Sequence, residues 1–353
     1  MARLRNRRLF RWLLWVIGPG VVASVAYTNR GALAMAVRLM REAALWWLVP
    51  AVLAICGVYL CRAAVYSVPL TVLGYSFTRP FLWSTALIAT SLHQLVPAGG
   101  ASGYAFLTFA LHRCGVPGGQ ASLIALIDTL SYAIAVATLL IASLVYLLSG
   151  GGLLAGRLPL AFAPGILAAT LAAYVYYLQR DQRRFTGLVI GLKNRLAALV
   201  GRAWADEPIR SFLDEYYAGK AVIRRHPGAF YRMVGLQYLA VGCDVAALYI
   251  AFLALGQPPK AWIVLMGFVV SMATLAIVSV PGGGGSFEAV MSVFFTRHGL
   301  EPATAIAAAM LYRLVAFWIP VVVSLFMLLQ LRRPTRDVRV SGRSGRRRGA
   351  DSA

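Results

Sequence analysis

Apolar blocks of helical length recur along the chain, separated by short polar or basic stretches. They fall near 12–27, 43–66, 80–96, 120–148, 160–179, 229–255, 261–280 and 303–331. A helix that crosses a bilayer needs about 20 predominantly apolar residues. Blocks of this kind are too numerous here for one soluble core. The pattern predicts an all-α, polytopic transmembrane helical bundle. Composition agrees: 60% of residues are hydrophobic and 13% charged, against about 25% charged in a soluble domain. The first block resembles a signal peptide, with a basic start and Ser24-Val25-Ala26 after the apolar run. It reads better as a retained helix loosened by Gly18-Pro19-Gly20.

Charge changes the picture through its placement. The net charge is +22, yet 23 of the 34 basic residues lie in three short segments: 1–11, 180–225 and 332–348. Basic clusters beside apolar spans mark cytoplasmic segments. The same arginines attract anionic lipid by about 1 kcal/mol for each residue near the surface. The excess charge therefore points to a membrane, and no nucleic-acid partner is expected. The expected localisation is the inner (cytoplasmic) membrane, with both termini cytoplasmic.

Self-similarity gives the architecture. A shift of 184 residues aligns 96–133 with 280–317 without a gap. Val96, Pro97, Gly99, Gly100 and Ser102 meet Val280, Pro281, Gly283, Gly284 and Ser286. Ala105, Arg113, Gly115, Ala121 and Leu130 meet Ala289, Arg297, Gly299, Ala305 and Leu314. A repeat of this length has to be read before any motif. Each half reads span, span, broken pair, span. Threading from a cytoplasmic N-terminus gives the halves opposite orientation, with 43–66 ending inside at Arg62 and Arg79. The expectation is an inverted repeat with two broken or re-entrant helix pairs. Residues 1–331 form one transmembrane domain, with half one about 10–150, half two about 158–331 and a cytoplasmic loop at 180–228. Residues 332–353 are a basic, disordered cytoplasmic tail. Arg30, Arg38 and Arg41 would fall outside, so 30–42 is read as an interfacial amphipathic helix.

Matching interrupted helices in inverted halves are the sequence sign of a transport site. Pro97 and Pro281 lack the N–H that a helix interior needs, and the glycines after them relax the backbone. Helices restarting near Ser102 and Ser286 would aim N-terminal N–H groups at an anionic group such as a phosphate. The competing reading is a packing kink, because small residues also let membrane helices approach. Charges at membrane depth are costly and usually functional. Asp128, Asp244, Glu288 and Arg313 qualify. The equivalent of Arg313 is Thr129, beside Asp128. Arg313 is expected to bind an anionic head group, with Glu288 or Asp128 holding it when the site is empty; a structural ion pair is the alternative. Asp128 and Glu288 are the candidates for proton coupling. Pro97, Gly99, Gly100, Ser102, Asp128, Pro281, Gly283, Gly284, Ser286, Glu288 and Arg313 form the expected substrate-binding set.

Catalytic motifs are missing: there is no Gly-x-Ser-x-Gly, no His-Glu-x-x-His and no nucleotide loop after Gly282–Gly285. No catalytic residue, metal or cofactor is expected. Cys56, Cys61, Cys114 and Cys243 lack metal-type spacing and read as small apolar side chains. Asp206-Glu207 and Asp214-Glu215 read as a solvated helix face.

The run Val280-Pro281-Gly282-Gly283-Gly284-Gly285-Ser286-Phe287-Glu288, then Gly299, Leu311-Tyr312-Arg313, Trp318 and Pro320, resembles the signature of the lysylphosphatidylglycerol synthase transmembrane region, or flippase-like domain, family. Gln94-Leu95-Val96-Pro97-Ala98-Gly99-Gly100 resembles its other block, and Arg62 the arginine ending its second helix. The resemblance spans about 10–331. It implies a polytopic inner-membrane domain that moves a phospholipid between leaflets. The soluble aminoacyl-transferring domain of the full-length synthases is not seen, so lipid aminoacylation is not expected. Ala101-Ser102-Gly103-Tyr104 depart from the family, which often carries an acidic residue and an arginine there.

The function expected from residues and resemblance together is translocation of an anionic or glycan-linked lipid by alternating access. The expected partners are membrane lipids with anionic head groups. A second possibility is a non-transporting subunit that docks a lipid- or envelope-modifying enzyme through 180–228 and the tail. An intramembrane transferase lacks an acid–base pair to support it.

Overall fold

The computed structural model describes Met35 and residues 38–95, 101–149, 186–187, 190–191, 207–277, 286–330 and 338–339. The expected spans 12–27 and 160–179 and both helix breaks lie outside the described residues. Nearly all of the described chain is helical. In chain order the helices are α1 (Leu48–Val72), α2 (Arg79–Leu95), α3 (Ala101–Arg113), α4 (Gly118–Ser149), α5 (Glu207–Arg224), α6 (Pro227–Ala254), α7 (Ala261–Ile277), α8 (Ser286–Arg297), α9 (Pro302–Arg313) and α10 (Ile319–Gln330). A π-helical turn, Leu314–Trp318, joins α9 to α10. Among the described residues, four continuous helical stretches are long and apolar enough to cross a bilayer: α1, α4, α6 and the run from α9 into α10. Residues 38–42 are helical, with Arg38, Arg41 and Glu42 exposed and Leu39 and Met40 half-buried.

The same 184-residue shift that relates the two stretches of sequence also relates the helices. It carries α1 onto 232–256, α2 onto 263–279, α3 onto 285–297 and α4 onto 302–333. Those ranges nearly coincide with α6, α7, α8 and the α9–α10 run. Four helices end in the same way. Gly74, Gly115, Gly256 and Gly299 have φ of +88°, +88°, +70° and +89°, a region open to glycine without strain. In each case the next residue donates its N–H five residues back: Tyr75 to Leu70, Val116 to Leu111, Gln257 to Phe252 and Leu300 to Phe295. This double-bonded cap satisfies carbonyls that would otherwise be orphaned at the helix end.

Contacts fix how the elements run. The Ala44 N–H donates to the Ala254 carbonyl at 3.0 Å, so the start of α1 lies beside the end of α6. Further along, a Cβ on Gly57 would lie 3.2 Å from Cys243 Sγ. Helices α1 and α6, equivalent under the shift, therefore pack antiparallel. The end of α1 lies with the start of α4, through a hydrogen bond from Tyr75 to Gln120, and with α5, where Gly219 faces Leu73 and Leu123. The remaining strand pair, β1 (Ser76–Phe77) with β2 (Val338–Arg339), lies at this end too. At the other end of the bundle, Thr304 donates to Gln257 and Trp262 meets His298 edge to face. Hairpin α2–α3 thus has its outer ends on one face, and hairpin α7–α8 has its outer ends on the opposite face.

Burial follows the same division. One apolar cluster joins the first half of α1 to α6 through α9, and includes Phe252, Phe268, Phe287 and Phe295. A second joins the latter half of α1 to α2, α3, α4 and Met233. One boundary differs from the sequence reading. Helix α1 does not end near 66 but runs to Val72, so Arg62 lies in mid-helix rather than at its end. Residues 63–72 are uncharged, and the helix tolerates Pro69 one turn before its cap.

Candidate functional site

Two polar clusters lie at membrane depth, and the helices deliver them separately. The first is an ion pair at the junction of α8 and α9. Glu288 sits in the first turn of α8, where a carboxylate complements the positive end of the helix dipole. Arg313 closes α9, and its Nε donates to Glu288 Oε1 at 2.7 Å. The guanidinium carbon lies 5.1 Å from the Phe287 ring centre and 4.9 Å from that of Phe317. Two aromatic faces so placed add cation–π attraction. The π turn right after Arg313 is built locally: Pro320 has no N–H to continue the regular ladder. Glu288 Oε2 is buried and has no hydrogen-bond partner. An unmade hydrogen bond on a buried charged oxygen is costly, so this end of the pair is incomplete.

The second cluster gathers Arg62 from α1, Asp128, Ser131 and Tyr132 from α4, Gln237 and Asp244 from α6 and Tyr312 from α9. Gln237, fully buried, donates through Nε2 to Asp128 Oδ1 at 2.9 Å and to Ser131 Oγ at 3.3 Å. The Tyr312 hydroxyl donates to Asp244 Oδ1 at 3.0 Å. The Arg62 guanidinium lies 5.3 Å from the Tyr132 ring centre. Its charge is felt by both Asp128 and Asp244. Arg62 Nε and Gln237 Oε1 are buried without hydrogen-bond partners. The clusters are adjoining: Tyr312 precedes Arg313 and stacks on Phe287 at 5.9 Å.

The expected site residues divide accordingly. Glu288 and Arg313 come together, and Glu288 rather than Asp128 is the partner of the arginine. Asp128 belongs to the other cluster. Ser102 Oγ donates to the Leu92 carbonyl at 2.9 Å, tying α3 to α2. Ser286 opens α8. Pro97, Gly99, Gly100, Pro281, Gly283 and Gly284 lie outside the described residues. The sequence reading left Arg62, Gln237 and Tyr312 out of the site. Arg62 could have been found, because the apolar run continues for ten residues after it.

On the face that carries α5, Gly119 is a point of close approach. A Cβ there would fall 2.2 Å from the Phe212 carbonyl oxygen and 2.6 Å from the Tyr216 nitrogen. The Gly119 N–H donates to Glu215 Oε2 at 3.0 Å, so Glu215 caps the start of α4. Asp214 is exposed, but Glu215 does not belong to a solvated face as the sequence had suggested. Burial raises the Tyr75 hydroxyl above the ordinary phenol range, with the Glu215 charge adding to it. Burial, and then the charge of Arg224, lower the Lys220 amine. Among the described residues no cluster of three or more His, Cys, Asp or Glu side chains could hold a metal ion.

Long apolar helices with charged groups buried among them define an integral, multi-pass membrane protein. The model of the lysylphosphatidylglycerol synthase TM region family matches residues 12–324, and the chain belongs to that family. It is similar to a UPF0104 membrane protein of Pyrococcus horikoshii, 35% identical over 96 residues, covering 27% of this chain and 29% of that protein. It is also similar to a UPF0104 membrane protein of Methanothermobacter thermautotrophicus, 24% identical over 153 residues, 43% of this chain and 45% of that protein. The matched region spans less than half the length of either relative.

Proposed function

We propose that this protein moves an anionic or glycan-linked lipid between the leaflets of the inner membrane by alternating access, with both termini cytoplasmic. The observation that carries this reading is the ion pair between Arg313, at the end of α9, and Glu288, in the first turn of α8, with Glu288 Oε2 unpartnered. A phosphate-bearing head group can replace the glutamate on the arginine, because guanidinium matches carboxylate and phosphate alike. Glu288 then holds the arginine between turnovers and supplies the charge balance of the empty site. Hairpins that open on opposite faces support the alternation, since equivalent halves can exchange conformations around a central site. Passive or gradient-driven movement fits a chain without a nucleotide loop.

The test is leaflet exchange of head-group-labelled lipids in liposomes that carry the purified protein. Exchange should fall to the protein-free rate with Arg313→Ala and drop strongly with Glu288→Ala. Equal exchange in all three proteins would remove the site assignment. The double charge reversal, Arg313→Glu with Glu288→Arg, should stay inactive; restored exchange would make the pair purely structural. The docking reading predicts something else: no exchange with any lipid, and loss of enzyme recruitment when 333–353 is deleted.

A further inference from the structure

The second cluster does not balance its charge. Arg62 stands against two carboxylates, Asp128 and Asp244, while the neighbouring Arg313 is engaged by Glu288. With all three groups ionised, one excess negative charge would remain buried among apolar helices. A membrane interior does not hold such a charge without a partner. Among the described residues, the other groups facing the cluster are Tyr59 and Tyr66 on α1, Tyr132 on α4, Cys243 on α6 and Tyr312 on α9. None of these supplies a positive charge.

We propose that Arg62, Asp128 and Asp244 form a proton-binding site, in which one proton is shared by the two carboxylates and Arg62 neutralises the charge that remains. The proton comes from hydronium: one of its O–H bonds breaks, leaving water, as the O–H bond forms on a carboxylate oxygen. The hydrogen-bonding groups suit two arrangements. With Asp128 ionised, Gln237 Nε2 donates to it, as in this structure at 2.9 Å. With Asp128 protonated, its O–H can donate to Gln237 Oε1, the buried acceptor that now has no partner. Asp244 keeps the Tyr312 hydroxyl in either case. Arg62 Nε is also buried without a hydrogen-bond partner, and the arginine's charge acts on both carboxylates. The carboxylates stand on α4, from the first half, and α6, from the second. A shift of the proton therefore moves the arginine's attraction from one half to the other. The site stands whether or not the protein moves lipid.

Infrared difference spectroscopy on the purified full-length protein, titrated with acid and base, reads protonated carboxyl groups directly. The wild type should show one carboxyl equivalent protonated at neutral pH. Isotopic labelling of aspartate should shift that band and labelling of glutamate should not. Asp128→Asn and Asp244→Asn should each abolish it, because one carboxylate then faces one arginine. Arg62→Gln should double it. A wild type with no protonated aspartate at neutral pH would overturn the proposal without recourse to any variant. A band that survives both asparagine substitutions would overturn it as well.

Discussion

Hairpins α2–α3 and α7–α8 share boundaries and end in the same glycine cap, yet they are packed and charged differently. In the first, Gly103 lets α3 approach α2 so closely that a Cβ would lie 2.7 Å from the Ala89 carbonyl oxygen. In the second, the equivalent of Gly103 is Phe287, a fully buried ring that faces Arg313. The small residue there is on the opposite helix: Gly267, whose Cβ would meet the Phe295 ring at 2.7 Å. Close packing is thus reached in one hairpin by backbone against backbone and in the other by ring against glycine. Only the second leaves aromatic faces around a buried cation. The repeat conserves the frame but not the side chains that carry charge: Thr129 and Asp128 stand where Arg313 and Tyr312 stand in the other half.

The largest effect expected from breaking this comparison comes from the charges. Removing Arg313 leaves the Glu288 carboxylate, 26% exposed, without its arginine, at a cost of about 3 kcal/mol, the lower end for a broken buried pair. Thr129→Ala, the equivalent change in the first half, removes only a bond from its hydroxyl to the Ala125 carbonyl. Thermal unfolding in detergent should separate Arg313→Ala from Thr129→Ala by many degrees; equal losses would mean that the pair is not buried as described. Next come the close approaches. Gly103→Ala meets backbone that cannot move aside, whereas Gly267→Ala meets rings that can turn. Overpacking costs about 1–3 kcal/mol, and Gly103→Ala should lie at the upper end and Gly267→Ala below it. The reverse order would show that the second hairpin is the tighter. Gly119→Ala drives α5 from the start of α4 and should make 207–224 sensitive to protease while the spans stay intact; unchanged cleavage would contradict the close docking of α5.

Smaller still are the caps. Gly115→Ala and Gly299→Ala place a Cβ in the left-handed region, at about 1–2 kcal/mol each, and the two should match because their φ angles do. A large difference would break the equivalence of the halves. Smallest is a pH effect at α5. Lys220 binds its proton less readily when α5 is docked than when it is free, so docking strengthens as pH rises through the lowered Lys220 range towards that of an ordinary lysine. Lys220→Met should flatten the protection of 207–224 against protease in that alkaline window.

Most of the frame was legible in the sequence because membrane helices declare themselves by length and apolarity. The expected span 229–255 and α6, Pro227–Ala254, differ by two residues at the start. Gly115 and Gly299 were visible as a matched pair in the repeat, but their role as helix caps came only with the structure. Arg62 was misplaced for a physical reason: an arginine is costly in a membrane, so the reading ended the helix there. What makes it affordable is a pair of carboxylates on α4 and α6, far along the chain, and local pattern carries no trace of them. Glu215 was hidden in the same way, since its partner is the N–H of Gly119 on another helix. The pairing of Arg313 with Glu288 was anticipated as one of two alternatives, and only the packing of α8 on α9 decides between them.

Alternating access requires above all that the two hairpins open on opposite faces. Arg113 and Arg297 end them, are equivalent under the repeat and are both exposed. In a protein without its native cysteines, Arg113→Cys and Arg297→Cys can each be labelled with a membrane-impermeant thiol reagent, in sealed vesicles of known orientation. One should be labelled from the inside only and the other from the outside only. Labelling of both from the same side would mean that the two hairpins open on one face and that the halves are not inverted.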